Sequence, residues 1–422
     1  MLSLTCNIHR QSSYLVEDIP DLPDRLQDYV NKGVLQKNIP GIILRDLGVE
    51  VSLSSIKKIM KKCDVKTVRK SALSDIEKGM EILKVTEDDP LGRWGCRSIQ
   101  EKLALQGTHV NRDFIMRYRQ LDNPDTAKSR HPATRKVHSS GLTSAGPNEE
   151  QCFDGHKKIL LQMGIGIYGV NDKFSRMELA LIAVPNARDS MLPPAVYLRI
   201  AQKLGGIPLT TTSDKGSEVG KLISLVRALR AKYQPFISEA EIPSHAAVKS
   251  TKNITRERAW RPLYSRDLTN ILHTYRIGQG DAGFNPHDDF HAGLARWVWA
   301  KIVQVRLDAL LEENKYHRIR KQKKILLPSG ARRIDLFESP EEYGGKNMLI
   351  SVPATDLDWL SAEYDDPALF RFGTEEEVTL YTDLYQAIGT PELVPANGWA
   401  IFTDMVSLHL SRLDEVEEAE YA

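Results

Sequence analysis

Three acidic residues stand in contexts that suit metal-assisted chemistry: Asp154 in Cys152-Phe153-Asp154-Gly155-His156, Asp214 in Thr212-Ser213-Asp214-Lys215-Gly216, and Glu257 in Asn253-Ile254-Thr255-Arg256-Glu257-Arg258. Cleaving a phosphodiester needs an in-line nucleophile, neutralised charge on the phosphate and a stabilised leaving oxygen, and two Mg²⁺ ions about 3.5 to 4 Å apart supply all three. Mg²⁺ takes hard oxygen ligands in octahedral geometry and keeps several waters. Three carboxylates from separate elements, completed by substrate phosphate oxygens, therefore form a fitting donor set. The expectation is that Asp154, Asp214 and Glu257 are the catalytic ligands of two Mg²⁺ (or Mn²⁺) ions, with Asp154 bridging them.

On a helix, Asn253, Glu257 and Arg261 fall at i, i+4 and i+8, so an amide, a carboxylate and a guanidinium line one face toward a phosphate. Trp260 beside them reads as core packing. Glu218, four residues after Asp214, is a rival third ligand, although an acidic residue at a helix start is also favoured by the helix dipole. The run Asn285-Pro286-His287-Asp288-Asp289-Phe290-His291 holds metal-capable groups too, but Pro286 and the aspartates undermine a His-x₃-His helix site, and it reads as a polar loop.

The elements around the three carboxylates must bring them together. A strand ends near Asp154, strands over 165–170 and 177–184 flank the turn Asn171-Asp172-Lys173-Phe174-Ser175, and the three should form an antiparallel meander. A helix over 195–204 stops at Gly205-Gly206, a short strand over 207–212 delivers Asp214 just beyond its end, and a helix over 219–232 follows. Sixty residues separate Asp154 from Asp214 and 43 separate Asp214 from Glu257. Those intervals leave room for the hairpin, strands and helices of a ribonuclease H-like layout, in which the first strand neighbours the one before Asp214.

Upstream, the apolar pattern over 42–47 stops at Gly48, and Ser52 can cap a helix over 53–62 whose Ile56, Ile59 and Met60 share a face. A second such unit runs from a helix over 97–105 through Gly107 to Asn111, which caps a helix over 112–120. Both read as helix-turn-helix. Lys57, Lys61, Arg112 and Arg119 on the second helices could meet phosphates or base edges of double-stranded DNA, the alternative being a solvated helix face. Residues 123–148, rich in Pro, Ser, Thr and basic groups, read as a linker.

Downstream of the core, Leu294, Val298, Ile302 and Val305 mark one stripe of a long helix with Trp297 and Trp299 nearby, for core packing or a homo-oligomer contact. The run His317 to Lys324 could grip phosphates, serve as a nuclear import signal, or be a solvated tail on a helix end. Residues 326–422 read as an accessory α-rich region. The expected segments are 1–75, 76–138, 139–325 and 326–422.

With 422 residues, 41% hydrophobic and 27% charged, the composition is that of a soluble globular protein with several domains. No run of roughly 18 or more apolar residues marks a membrane span. Net charge is only +1, so affinity for a polyanion has to come from charge distribution. The opening Met1-Leu2-Ser3-Leu4-Thr5-Cys6 is too short for a secretory core, which points to an intracellular, reducing setting. Cys6, Cys63, Cys96 and Cys152 form no CxxC pair and read as buried free thiols.

Gly146-Pro147-Asn148, Phe153-Asp154-Gly155-His156-Lys157-Lys158, Gly169-Val170-Asn171-Asp172-Lys173-Phe174-Ser175-Arg176, Asp214-Lys215-Gly216-Ser217-Glu218 and Asn253-Ile254-Thr255-Arg256-Glu257-Arg258 resemble integrase-core (DDE) proteins, related to retroviral and retrotransposon integrases and eukaryotic DDE transposases. The unit from Gly95 to Leu103 with Val110-Asn111-Arg112 is similar to the helix-turn-helix ahead of the core in bacterial insertion-sequence transposases. The chain departs from retroviral integrases in lacking a His/His/Cys/Cys module before the core. The resemblance implies an α/β protein: a ribonuclease H-like catalytic core, with a mixed five-stranded sheet and flanking helices, preceded by helix-turn-helix domains. It further implies Mg²⁺-dependent DNA strand cleavage and strand transfer in the nucleus, with Asp154, Asp214 and Glu257 carried over as metal ligands. The alternative is a domesticated, catalytically inactive DNA-binding protein derived from a transposable element, against which the retention of all three carboxylates weighs. A ribonuclease acting on hybrids would share the core but leave the two helix-turn-helix units unexplained.

Overall fold

The computed structural model describes residues 21–122, 142–157, 160–249, 253–322 and 325–421. The chain divides into two compact units, Met1–Lys136 and Val137–Ala422, a coarser division than the four segments read from sequence. Most of the expected linker, 123–141, lies outside the described residues, as does Cys6.

The first unit carries two clusters of three helices. In the first, α1 (Leu22–Asn31), α2 (Ile39–Leu47) and α3 (Leu53–Lys62) bury Leu26, Ile39, Ile43, Ile56 and Met60 together. Gly48 ends α2 at φ 68°, and the Ser52 hydroxyl accepts from Ser55 N–H, satisfying one of the first-turn donors that a helix leaves without a partner. In the second, α4 (Asp75–Thr86), α5 (Cys96–Leu105) and α6 (Arg112–Asp122) enclose Ile82, Trp94, Ile99, Leu103 and Ile115. The Asn111 carboxamide accepts from Asp113 N–H at 2.9 Å, so both expected caps are present. Lys57, Lys61 and Arg112 are exposed as expected. Arg119 is not: it is 7% exposed, and its guanidinium donates to Gly92 O at 2.8 Å, which removes it from the solvated face assigned to it from sequence. Helical periodicity places Arg119 four residues after the fully buried Ile115, so it shares the inner face.

The second unit is built on a five-stranded sheet in the order β3-β2-β1-β5-β6, where β1 is Glu150–His156, β2 Gly166–Asp172, β3 Glu178–Val184, β5 Thr210–Asp214 and β6 His245–Val248. β1, β2 and β3 form the expected antiparallel meander, and β1, β5 and β6 are parallel. This is the ribonuclease H-like α/β arrangement. The expected strand over 207–212 is in fact two: Gly206–Ile207 (β4) pairs with Ile350–Ser351 (β7), and β5 begins after Pro208, which has no N–H to give a ladder. Asp214 is thus the last residue of β5 rather than just beyond it.

Helices cover both faces. On one, α7 (Leu192–Leu204) and α8 (Gly220–Tyr233) bury Phe153 and Val170. α7 starts earlier than expected because Pro193 and Pro194 sit in its first turn, where no N–H is needed. On the other face, α9 (Ile254–Pro262), α10 (Thr269–Gly278) and α11 (Asp289–Tyr316) pack over Ile167, Leu181 and Ala183. Pro262 interrupts the helical ladder, and a π-helical segment, Leu263–Leu268, joins α9 to α10. Trp297 and Trp299 are core residues of α11; Val305, expected on its buried stripe, is 47% exposed, and burial continues through Val303, Leu307 and Leu310 instead. His291 lies in the first turn of α11, where Asp288 caps its N–H, so the expected polar loop runs into a helix start.

The C-terminal stretch is integral to this unit. α12 (Arg333–Glu338) follows the segment 318–332, α13 (Ala354–Tyr364) packs on α7, and α14 (Glu375–Ala387) and α15 (Gly398–Tyr421) complete the core around Trp299. Lys346 N–H and Met348 N–H donate to Ala145 O and Pro147 O, so the end of the presumed linker is tied into the fold. A Cβ at Gly146 would lie 1.7 Å from Lys346 O, a clash only glycine avoids. Beyond the end of α11, Arg318 pairs with Arg332 across an extended bridge rather than forming a helical tail; Lys323 and Lys324 are outside the described residues. Of the three described cysteines, all expected to be buried, Cys152 is; Cys63 is exposed and Cys96 half-buried. Among the described residues no helix is long and apolar enough to cross a membrane.

Candidate metal centre

The parallel ladder between β1 and β5 pairs Glu150 with Thr210, Gln151 with Thr211 and Cys152 with Thr212. Side chains alternate faces along a strand, so two residues further on, Asp154 and Asp214 stand opposite each other on the same face. Backbone pairing has stopped by then. Asn253, the residue before α9, enters at that point: its side-chain N–H₂ donates to Phe153 O at 3.2 Å and, at 3.4 Å, to Asp214 Oδ1. Sequence spacing had put Asn253 on a phosphate-facing stripe with Glu257 and Arg261. It is instead 2% exposed and bonded to the sheet, because the carbonyl left unpaired where the strands part needs a donor. Glu257 and Arg261 are exposed on α9, as that stripe required.

Asp154 is half-buried and is raised to about 6, first by loss of water, then by the negative fields of Asp214 and Glu257; the Trp260 indole N–H and the Arg256 charge oppose the rise. The fields of Asp214 and Glu257 thus reach Asp154, while the acidic neighbour that raises Asp214 is Glu218. Burial also raises Asp214, with Glu218 adding to the rise and Asn253 opposing it. Glu218 thus sits close enough to be felt by Asp214, in the short 3₁₀ turn Ser217–Val219.

Among the described residues no three His, Cys, Asp or Glu side chains form a ready-made ion cage. Mg²⁺ does not require one. It is commonly held by one or two carboxylates, with waters and substrate phosphates filling the shell. Two aspartates on neighbouring strands, both raised by burial, with the Glu257 carboxylate felt by Asp154, fit that demand by chemistry: hard oxygen donors and no sulfur or imidazole.

Trp260, read from sequence as packing alone, does more. It is buried at 3% exposure, and Nε1 donates to Asp154 Oδ2 at 2.7 Å. The Arg256 guanidinium lies 4.0 Å from the centre of its ring and is ion-paired with Glu178 of β3. Gly169, opposite Asp154 on β2, leaves the space: a Cβ there would meet Arg256 Nη2 at 2.5 Å and Trp260 Cη2 at 3.1 Å. Two signals for this arrangement were available in the sequence. A buried indole normally finds an acceptor, and Glu178 heads an otherwise apolar strand where a charge needs a partner.

Residues 142–328 match the family model described as Integrase core domain. That span contains Asp154, Asp214, Glu257 and every residue named around them. No curated protein sequence matches the chain.

Proposed function

We propose, from the match of residues 142–328 to the family model described as Integrase core domain, that the protein is an integrase- or transposase-type polynucleotidyl transferase that cuts and joins DNA strands with two Mg²⁺ (or Mn²⁺) ions held by Asp154, Asp214 and Glu257. The observation that carries the proposal is the ladder register, which sets Asp154 opposite Asp214 on one face while Glu257 of α9 acts on the same carboxylate.

When bound, the ions neutralise phosphate charge and favour the attacking and leaving oxygens. Asp154 and Asp214 would hold them from the sheet, Glu257 from the helix. The attacking oxygen, from water in cleavage or from a DNA 3′-hydroxyl in joining, gives up its proton to solvent and forms a new bond to phosphorus. The bond to the old 3′-oxygen breaks, and that oxygen ends with a proton from solvent. Arg261, exposed one turn beyond Glu257, is placed to meet the DNA backbone, and Lys57, Lys61 and Arg112 supply exposed cations on the helical unit. A nuclear site of action belongs to the same proposal and rests on the basic run from His317, in which Arg320 and Lys321 are exposed.

The test is nicking of supercoiled DNA and joining of oligonucleotide ends by the full chain, with Mg²⁺ or with chelator. Asp154→Asn, Asp214→Asn and Glu257→Gln should each abolish turnover while leaving binding to duplex DNA intact. Turnover unchanged by Asp154→Asn and Asp214→Asn refutes the assignment. Duplex binding without turnover in the unaltered protein would favour the domesticated, catalytically inactive binder.

A further inference from the structure

A carboxylate that serves a cation well is held by one oxygen and offers the other. Asp154 is held in this way: Oδ2 accepts the Trp260 indole N–H, and among the described residues Oδ1 accepts no hydrogen bond. An indole nitrogen can only donate, so this contact fixes the rotation of the carboxylate without competing for a cation.

The ring itself is immobilised from below. Arg256 is fully buried, stacked on the ring and tied to Glu178, so a charge pair on β3 and α9 sets where the indole N–H points. His156 closes the edge of the ring at 5.3 Å. Arg256 gains little as a DNA contact from this location, having no exposed surface.

We infer that Trp260 is a positioning residue for Asp154: its N–H fixes Oδ2 and leaves Oδ1 available to a divalent cation, and the Glu178–Arg256 pair holds the ring in that role. The inference rests on the metal-dependent reading above. Residues one step removed from a metal ligand typically change metal affinity by about 10- to 100-fold when lost.

The experiment uses the full chain labelled with ¹⁵N-tryptophan, which places the label on six indole N–H groups, together with Mn²⁺ binding followed by electron paramagnetic resonance. Trp260→Phe keeps most of the ring and removes the donor. It should weaken Mn²⁺ binding about 10-fold and raise the Mg²⁺ concentration needed for half-maximal nicking by the same factor. The rate at saturating Mg²⁺ should stay nearly constant, a split that a merely packing role would not produce. In the unaltered protein Mg²⁺ should displace the indole resonance that Trp260→Phe deletes. Mn²⁺ affinity equal to that of the unaltered protein overturns the inference while leaving the metal site standing. Absence of Mn²⁺ binding by the unaltered protein overturns both. If Trp260→Phe does not fold, Asp154→Asn decides the matter. The indole resonance it displaces must be the one Mg²⁺ displaces in the unaltered chain, and two different resonances would overturn the inference.

Discussion

Two aspartates near opposite ends of the β1–β2 hairpin, Asp154 and Asp172, are both raised to about 6 by burial, yet they are built for different purposes. Asp172 is fully buried and uses both oxygens: Oδ1 accepts from Asn148 N–H at 2.8 Å, and Oδ2 from Ser175 N–H at 2.7 Å and the Ser175 hydroxyl at 2.6 Å. It closes the turn between β2 and β3 and anchors the segment entering β1. Among the described residues Asp154 has one donor, Trp260, and it feels two carboxylates whose fields oppose its charge. Burial alone does not distinguish a structural carboxylate from one meant for a cation; the partners of its second oxygen do.

The sharpest way to break the comparison is to neutralise each in turn. Asp154→Asn should lower Mg²⁺-dependent nicking by about 10³-fold or more, since it removes several kcal/mol of transition-state stabilisation, while the thermal midpoint stays level or rises. Asp172→Ala should do the reverse. Asn148 N–H and Ser175 N–H would be left buried without acceptors, at about 1 to 3 kcal/mol each. Denaturant unfolding should therefore show a loss of about 3 kcal/mol. A stability loss for Asp154→Asn equal to that for Asp172→Ala would erase the distinction.

Much of the scaffold for this comparison was legible in the sequence, and the reasons are local. Ser52 and Asn111 announce helix starts through side chains that complete backbone hydrogen bonding nearby, and both caps are found. The turn around Asp172 is signalled by Asn, Asp, Lys and Ser between two apolar strands. What escaped depends on distant partners. β6, His-Ala-Ala-Val, is too short and too weakly apolar to stand out, and forms because β5 offers a parallel edge. Arg119 reads as a surface cation until the carbonyl of Gly92 is placed beside it. Asn253 reads as a helix-face residue until the sheet ladder ends next to it. The candidate carboxylates themselves were visible because their residue types and intervals suit one chemistry. The hydrogen bond that orients Asp154 joins residues 106 apart in sequence, and no local pattern encodes it.

Acidity offers a finer separation. For Asp154 the folded group is raised from 3.8 to about 6, so ionising it opposes folding. The penalty is present in full above about pH 6 and vanishes as pH falls through 4, which amounts to about 3 kcal/mol. The stability gap between Asp154→Asn and the unaltered protein should therefore be widest at neutral pH, in favour of the variant, and close toward pH 4. Mg²⁺ should narrow the gap at pH 7 by stabilising the unaltered protein, and should do so much less at pH 5, where protons compete for the carboxylate. Asp172 is raised in the same direction, but its oxygens are already occupied, so its contribution should not respond to Mg²⁺. A Mg²⁺ effect on melting that is the same at both pH values, or that survives Asp154→Asn, would contradict the division.

The smallest expected effect probes how far the Asp172 arrangement depends on each donor. Ser175→Ala removes the hydroxyl donated to Oδ2 but keeps the backbone N–H on the same oxygen. It also removes the acceptor of Met177 N–H at 3.2 Å. The loss should be about 1 kcal/mol, the net worth of an ordinary hydrogen bond, because the backbone N–H still serves the same oxygen. Because the hydroxyl favours the ionised form, its removal should push the Asp172 carboxyl still higher, so more of the lost stability should be recovered as pH is lowered from 7 to 5. Nicking per folded molecule should not change, since Ser175 belongs to the turn at the far end of the hairpin from Asp154. Urea unfolding at the two pH values, paired with nicking rates, tests this directly: a variant that loses turnover without losing stability would mean that the two ends of the hairpin are coupled, and that Asp172 serves the site as well as the fold.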